Sequence, residues 1–139
     1  MSHSEIDVPS ILKQDGIEYT DFEDINKEHH NIDYVINSMP KDRSWSKTLV
    51  NSDSNSVTLI AQRPGEGNRL HYHPEWNEWW YILQGRWEWE IEGVKKIIST
   101  GDFIFMKKGR KHKITACGDK ELSIRMAVSR YDVEHIYPE

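Results

Sequence analysis

Four side chains have the types and the spacing of a metal-binding shell: His71, His73, Glu78 and His112. His71 and His73 are separated by one residue, so on a β-strand both imidazoles point to one face, at a distance that suits two ligands of one ion. The pair alone is a weak signal, because the chain has seven histidines and an ordinary structural or surface role is commoner. Glu78 follows a turn-like segment and His112 begins a later strand, so returning strands could bring both beside the pair.

Three imidazoles and one carboxylate form a mixed nitrogen and oxygen shell. Such a shell suits Fe2+, Mn2+, Ni2+, Co2+ or Zn2+, and it is poor for Ca2+ or Mg2+, which prefer all-oxygen sites. An ion held in this way keeps coordination positions open to water, dioxygen or a bidentate substrate. We therefore expect one divalent transition metal that acts as a Lewis acid or, if it is iron, as a redox centre.

Strands must carry these ligands, because from Trp45 onward short apolar stretches alternate with turn residues. The predicted strands are residues 56–61, 70–72, 78–83, 86–92, 95–98, 103–106, 112–116 and 122–128. Many short strands without a long helix between them predict an all-β antiparallel sandwich or barrel. In residues 87–92, Trp and Ile alternate with Glu, which predicts a sheet with one buried face and one solvent-facing side.

The length of 139 residues fits a single domain with a real core. Hydrophobic residues make up 37% of the chain, and six Trp and six Tyr predict an aromatic-rich interior. Residues 1–44 are polar and weakly periodic, and both an extended arm and a short helix are open for them. We assign residues 1–44 to an N-terminal arm that packs on the barrel or on a partner, and residues 45–139 to the β-barrel domain.

Three further side chains are candidate substrate contacts: Arg69, Trp80 and Arg125. Arg69 precedes His71 by two residues and shares its predicted inward direction, so it could orient a carboxylate or phosphate, although a surface position is an equal alternative. Trp80 has the parity of Glu78 and would wall a pocket for a small organic substrate, or simply pack in the core. Arg125 is a candidate anion binder if its face lines a cavity, and an ordinary surface charge if it does not.

Charge and cysteine content exclude several classes of function. The formal charge of −5 argues against general nucleic-acid binding, which depends on Lys and Arg neutralising phosphates. The single Cys117 cannot form an intramolecular disulfide, and free thiols are usual in reducing compartments. No apolar run is long enough to span a bilayer, and residues 1–7 are unlike a signal peptide. We expect a soluble, unprocessed, cytoplasmic protein that binds neither nucleic acid nor membrane.

The residues around the candidate ligands resemble the first motif of the cupin superfamily. That motif is a Gly, five residues, His-x-His, three or four residues, Glu, six residues and a Gly. This sequence has the same order, with five, four and six residues in the three intervals, in Gly65, His71, His73, Glu78 and Gly85.

A second cupin motif follows after fifteen residues, 86–100, which is similar to the compact spacing of small microbial cupins. The family pattern is a Gly, five residues, Pro-x-Gly, two residues, His, three residues and Asn. Here Gly101 and His112 match, whereas Lys107 replaces the Pro and Ala116 replaces the Asn. Neither position supplies a metal ligand in the family, so these departures put only the turn before His112 and a local hydrogen bond in question.

The resemblance covers about residues 57–128 and implies a cupin-type antiparallel jelly-roll β-barrel that holds its metal on the four residues above. It favours Fe2+ and, as the best interpretation, an Fe(II)-dependent oxygenase that acts on a small organic acid. A redox-neutral, metal-dependent lyase or isomerase of a small acid or sugar is the first alternative. A non-catalytic metal- or ligand-binding cupin is the second.

Two further expectations follow from the resemblance. Residues 71–73 and the tail 133–138 are similar to small cupins that cleave dimethylsulfoniopropionate, but Trp80 stands where those enzymes have a Tyr, which counts against that reaction. Small cupins commonly pair through a sheet face or exchanged N-terminal strands, which implies a homodimer.

Overall fold

The computed structural model describes residues 3–130 and 134–138, so Val133 at the start of the tail lies outside the described residues. The described residues form eleven strands and two short helices. In chain order these are β1 (His3–Glu5), α1 (Val8–Gln14), β2 (Tyr19–Asp21), α2 (Ile32–Ser38), β3 (Trp45–Asn51), β4 (Ser56–Gln62), β5 (Glu78–Gln84), β6 (Arg86–Ile91), β7 (Val94–Ser99), β8 (Phe103–Met106), β9 (His112–Cys117), β10 (Ser123–Ser129) and β11 (His135–Tyr137).

Two sheets enclose the interior, in agreement with the predicted jelly-roll barrel. The larger sheet has the order β2-β3-β4-β10-β5-β8, and the smaller has the order β7-β6-β9. Their strand pairs are antiparallel, apart from the parallel pair of β2 and β3. A separate two-stranded sheet joins β1 to β11 near the two ends of the chain.

The barrel interior is filled by side chains from both sheets. Trp80 and Ile82 of β5 pack in one cluster with Trp87, Ile98 and Ile114 of the smaller sheet. This burial confirms the inward parity predicted for alternate residues of β5. The face predicted for β6 is buried only at its start, since Trp87 is fully enclosed whereas the next inward positions of that strand are half-buried.

The first 44 residues supply both helices and two strands that pack on the barrel of their own chain. Helix α2 lies on the outer face of the larger sheet, where Val35 and Met39 join a core with Leu49 and Leu59. Its start is fixed by Asn31, whose side chain accepts a hydrogen bond from the backbone N–H of Tyr34 at 2.9 Å.

Helix α1 packs against inward-facing residues of the larger sheet. Its Leu12 forms a small core with Ile17 and Ile60, and Val8 and Ala127 pack against that core. The helix therefore covers the inner surface of β4 and β10. Neither described helix is long and apolar enough to cross a membrane.

Several predicted strand ends differ from the observed ones by one residue, as in the strand predicted for residues 122–128, which spans Ser123–Ser129. Two differences have a clear structural cause. Residues 70–72 do not form a regular strand, because the chain crosses there between two partners: His71 bridges His112, and Tyr72 bridges Ile136. Strand β6 ends at Ile91 and not at Glu92, because Glu92 has a positive φ of 47° and begins the turn into β7.

Candidate metal centre

The structure brings the four predicted ligand residues together inside the barrel. One potential ligand atom from each of His71, His73, Glu78 and His112 lies within 4.8 Å of the other three. All four residues are buried, with the least enclosed, Glu78, at 8% exposure. Buried ionisable groups at this density are costly unless they are paired or bind an ion.

Backbone pairing between distant segments sets the spacing of the cluster. His71 and His112 form a bridge in which each backbone N–H donates to the carbonyl of the other, at 3.0 and 2.8 Å. The turn before His112 closes although Lys107 replaces the family Pro, because Arg110 N–H donates to the Lys107 carbonyl at 3.1 Å. Glu78 is the first residue of β5, so it projects into the same end of the barrel.

Backbone carbonyls fix the tautomer of all three imidazoles. The Nδ1 of His71 lies 2.8 Å from the Arg69 carbonyl, that of His73 lies 2.9 Å from the Glu134 carbonyl, and that of His112 lies 3.0 Å from the Arg110 carbonyl. A carbonyl only accepts, so each Nδ1 must carry a proton and donate it. Each neutral ring therefore presents the lone pair of Nε2, which is the arrangement of histidine ligands in metal sites.

The carboxylate of Glu78 lies against these nitrogen atoms. Its Oε1 is 2.9 Å from His73 Nε2 and 3.4 Å from His112 Nε2. Among the described residues, the buried His112 Nε2 has no partner with hydrogen-bond geometry. A buried nitrogen without such a partner, aimed at a carboxylate and two further imidazoles, fits a site for a divalent transition metal.

Burial and mutual charge shift the acidities of the cluster. Burial alone would raise the pKa of Glu78, but interactions with His112 and His73 hold it well below its ordinary range. Burial lowers the pKa of His71, and the imidazoles of His112, His135 and His73 lower it further. Burial would also lower the pKa of His73, yet its hydrogen bond and charge attraction to Glu78 raise it overall. Glu78 is thus ionised and His71 neutral at ordinary pH, as ligands must be.

A cavity of about 50 Å³ lies beside the cluster. His71 and Glu78 form part of its wall, and Trp80 forms another part. A space of this size admits roughly three to five water-sized groups. The remaining wall comes mainly from α1, β4 and β10, through Val8, Ile11, Leu12, Asp15, Ser56, Thr58, Ile60, Asn68, Arg125, Ala127, Ser129 and His135.

Two of the three predicted substrate contacts, Trp80 and Arg125, line this cavity. The indole N–H of Trp80 donates to Glu78 Oε2 at 3.1 Å. Arg125 is only 2% exposed and donates from a terminal nitrogen to Gln62 Oε1 at 2.7 Å. The surface alternative considered for Arg125 is therefore excluded by its burial.

Arg69, the third predicted contact, is not among the residues that line this cavity. Its Nε donates to Asp15 Oδ1 at 2.6 Å, and its guanidinium lies 4.3 Å from the ring centre of Tyr137. The parity argument failed here because residues 69–71 are not part of a regular strand. Arg69 thus binds the carboxylate of Asp15, the residue that caps the end of α1.

Sequence reasoning missed Asp15 and His135 as residues of the site. The ring of His135 stacks on that of His71, with 4.7 Å between the ring centres, and packs edge-on against that of His73, with 4.6 Å between the ring centres. Asp15 has 3% side-chain exposure and lines the cavity from the end of α1. The spacing of His135 and Tyr137, two residues apart like His71 and His73, was the available signal.

Comparison with known proteins identifies the fold. The Cupin domain family matches residues 58–129, just over half of the chain, and this region contains all four clustered residues. Protein SchB of Streptomyces halstedii is 30% identical over 74 residues, which are 53% of this chain and 54% of SchB. This chain thus spans about half the length of that curated relative.

Solved structures of bacterial proteins share the architecture. A protein with a double-stranded β-helix domain from Klebsiella pneumoniae has a TM-score of 0.67 at 16% identity, over 82% of this chain and 100% of that chain. A Thermotoga maritima protein described as a predicted oxalate decarboxylase has a TM-score of 0.53 at 26% identity, over 57% of this chain and 68% of that chain. The chain belongs to the cupin domain family, with the histidine and glutamate cluster inside the matched barrel.

Proposed function

We propose that the protein is a metal-dependent enzyme, and that its activity is the Fe(II)-dependent oxygenation of a small organic acid. One observation carries the proposal. Three backbone carbonyls hold the Nδ1 atoms of His71, His73 and His112, so that the three Nε2 atoms are left for a metal ion beside the carboxylate of Glu78. Hydrogen bonds that fix the orientation of histidine ligands in this way are typical of metal sites, where they also increase the basicity of the imidazoles.

The donor set selects a class of ion and not one element. The resemblance to the cupin superfamily favours Fe2+, whereas the donor set of three imidazoles and a carboxylate suits Mn2+, Ni2+, Zn2+ or Co2+ as well. When bound, the ion would supply Lewis acidity and open coordination positions, and iron would add a one-electron redox couple. The four residues of the cluster would hold it, while Trp80 would orient Glu78 through the indole hydrogen bond.

The cavity supports a small substrate. Its apolar wall includes Ile11 and Leu12 of α1 together with Ile60 and Ala127 of the larger sheet. These side chains exclude water from the reacting groups, which strengthens every electrostatic contact there. The volume of about 50 Å³ limits the part of a ligand that enters to a few non-hydrogen atoms.

A redox-neutral lyase or isomerase of a small acid or sugar is the second candidate. Asp15 and His135 both line the cavity, and either could accept a proton from a substrate whose carboxylate or carbonyl is polarised at the metal centre. Burial raises the pKa of Asp15 against the opposing effect of Arg69, which makes its carboxylate a stronger base. The Thermotoga maritima relative is described by a reaction on a small dicarboxylate, and that description supports a small acid here as well. A non-catalytic metal- or ligand-binding cupin is the third candidate.

Metal analysis of protein purified without oxygen, followed by oxygen uptake with a panel of small acids, tests these candidates. Bound iron with substrate-dependent uptake supports the oxygenase. Bound zinc, manganese, cobalt or nickel with conversion but no uptake supports the lyase or isomerase, and bound metal without conversion supports the binding protein. The Glu78→Ala variant should lose the metal, whereas His30→Gln, which removes a histidine outside the cluster, should retain it. Wild-type protein without any transition metal would contradict all metal-dependent candidates.

Assembly as a homodimer and a reducing, cytoplasmic location complete the proposal. Strand β8 is an edge of the larger sheet, and it exposes 60% of Phe103 and 51% of Phe105. A second copy of the chain could cover this aromatic edge, since exposed apolar edges otherwise favour aggregation. A sedimentation measurement should give the dimer mass for the wild type and the monomer mass for Phe105→Lys.

The free, half-buried Cys117 agrees with a reducing compartment.

A further inference from the structure

Arg125 is a buried cation without an ion pair among the described residues. It lies on the inner side of β10 with 2% exposure. Its side-chain hydrogen bond is to the neutral amide oxygen of Gln62 at 2.7 Å, and its Nε has no partner in the part of the chain that is described. A buried guanidinium without a counterion is costly, so its presence in a cavity wall indicates that an anion completes the site.

The nearby carboxylates are already engaged elsewhere. Asp15 accepts from Arg69 at 2.6 Å. Glu78 lies 2.9 Å from His73 Nε2 and accepts from Trp80 at 3.1 Å. Both carboxylates influence Arg125 only at a distance. Burial lowers the pKa of Arg125 to about 10, so the guanidinium remains charged at neutral pH.

Aromatic rings hold the guanidinium in a fixed place. Its central carbon lies 4.7 Å from the ring centre of Trp87 and 5.3 Å from that of Trp80. Contacts of this kind restrict the long side chain, so less conformational entropy is lost when it binds a ligand. A fixed planar fork of N–H donors matches a carboxylate better than any neutral group.

We propose that Arg125 binds the carboxylate of a small aliphatic acid, in the cavity that adjoins the metal cluster. This inference rests on the proposed function, since that acid would be the substrate of the metal centre. The positive charge of Arg125 selects an anionic ligand, and the cavity volume of about 50 Å³ limits the size of that ligand. Ile60 and Ala127 line the same space, and their apolar side chains favour a ligand with an aliphatic part.

The test compares acetate with acetamide, which has the same shape and no charge. Calorimetric titration uses the full chain, both with its metal and after chelation, so that direct coordination of acetate to the ion is separated from binding at Arg125. We expect acetate to bind at least tenfold more tightly than acetamide in both forms. Equal affinities of the two ligands for the metal-free chain would overturn the proposal.

Two variants assign the binding to Arg125. Arg125→Met keeps much of the side-chain volume and should weaken acetate binding at least tenfold. Gln62→Glu places a carboxylate beside the guanidinium and should weaken acetate binding to a similar extent while Arg125 itself is retained. Arg63→Met, which removes a partly exposed arginine paired with Glu18 at 3.2 Å, is the matched control and should bind acetate like the wild type.

The outcomes separate this inference from the proposed function. Thermal unfolding of each variant establishes that it is folded before titration. Acetate binding that depends on Arg125, in a chain that retains no transition metal, would leave this inference standing and contradict the proposed enzyme. Retained metal together with acetate binding that is unchanged in both Arg125→Met and Gln62→Glu would contradict this inference alone.

Discussion

Trp80 donates its indole N–H to Glu78 Oε2 at 3.1 Å while its ring forms part of the cavity wall. One side chain therefore contacts both the space for a ligand and a residue of the metal cluster. The two residues share the inner face of β5 because they are two positions apart on the strand. A substitution of Trp80 should therefore change the binding of the metal as well as the shape of the cavity.

Replacing Trp80 by Phe should lower metal affinity by about tenfold to a hundredfold, because it removes the hydrogen bond that orients a ligand. Competition with a chromophoric chelator measures the affinity. Trp79→Phe is the matched control, since Trp79 lies on the opposite face of β5. There the centre of its ring lies 5.2 Å from the ring centre of Phe103. Unchanged affinity in Trp80→Phe would show that the hydrogen bond does not support the site.

Metal affinity should fall as the pH falls. His73 must lose its proton from Nε2 to coordinate, and Glu78 raises the pKa of that ring above its ordinary value near 6.5. Protons therefore compete with the metal at and below this raised pKa, with about a tenfold loss of affinity per pH unit for one displaced proton. Glu78 stays ionised over the same range because its pKa is held low. Chelator competition across about pH 5 to 8 measures the effect, and constant affinity would contradict it.

The pair formed by Arg69 and Asp15 should hold α1 on the barrel. Arg69→Ala leaves a buried carboxylate without its donor, and we expect a loss of about 1–3 kcal/mol in the free energy of unfolding. Asp15→Asn removes the charge, so the double variant should lose less than the sum of the two single variants. Urea unfolding measures all three variants.

A surface pair provides the control for this cycle. Arg63→Ala breaks the contact with Glu18, in which the Arg63 side chain is 39% exposed and that of Glu18 is 46% exposed. Because the pair is exposed, the loss in the free energy of unfolding should be less than about 1 kcal/mol. Additive losses in the Arg69 and Asp15 cycle would contradict a coupled pair.

The strands were predictable because alternation and tight turns are short-range patterns, and the four clustered residues were predictable because their intervals resemble the cupin motifs. Alternation in β5 placed Glu78 and Trp80 on the inner face. The resemblance of the intervals between glycines and ligands to the cupin motifs implied that His71 and His112 lie beside them, and the structure pairs these two residues. The alternation in β5 follows from the two-residue period of a strand, which is visible in a single sequence.

The rest of the cavity depends on contacts between distant segments. Asp15 reaches it because α1 packs on β4 and β10, and His135 reaches it because β11 pairs with β1 and bridges Tyr72. No local pattern in residues 1–44 specifies which inner surface the helix covers. Arg69 was misplaced for a related reason, since bridges to two different segments interrupt the strand geometry on which its parity depended.

Gly67 allows the loop before His71 to lie against β9. A Cβ at this position would stand 2.0 Å from the Ile114 carbonyl oxygen and 2.7 Å from Thr115 Cα, so Gly67→Ala forces backbone apart from backbone. We expect a loss of about 1–3 kcal/mol in the free energy of unfolding. Metal affinity should fall as well, because Ile114 lies on the strand that begins at His112.

Gly93→Asn is the matched control for this change. Gly93 lies in the turn between β6 and β7, has nothing within 4 Å of an added Cβ, and has a φ of 83° that Asn tolerates. It should leave metal affinity unchanged and alter stability by less than about 1 kcal/mol. If Gly67→Ala were as stable as Gly93→Asn and bound metal equally well, the contact between this loop and β9 would not determine the geometry of the cluster.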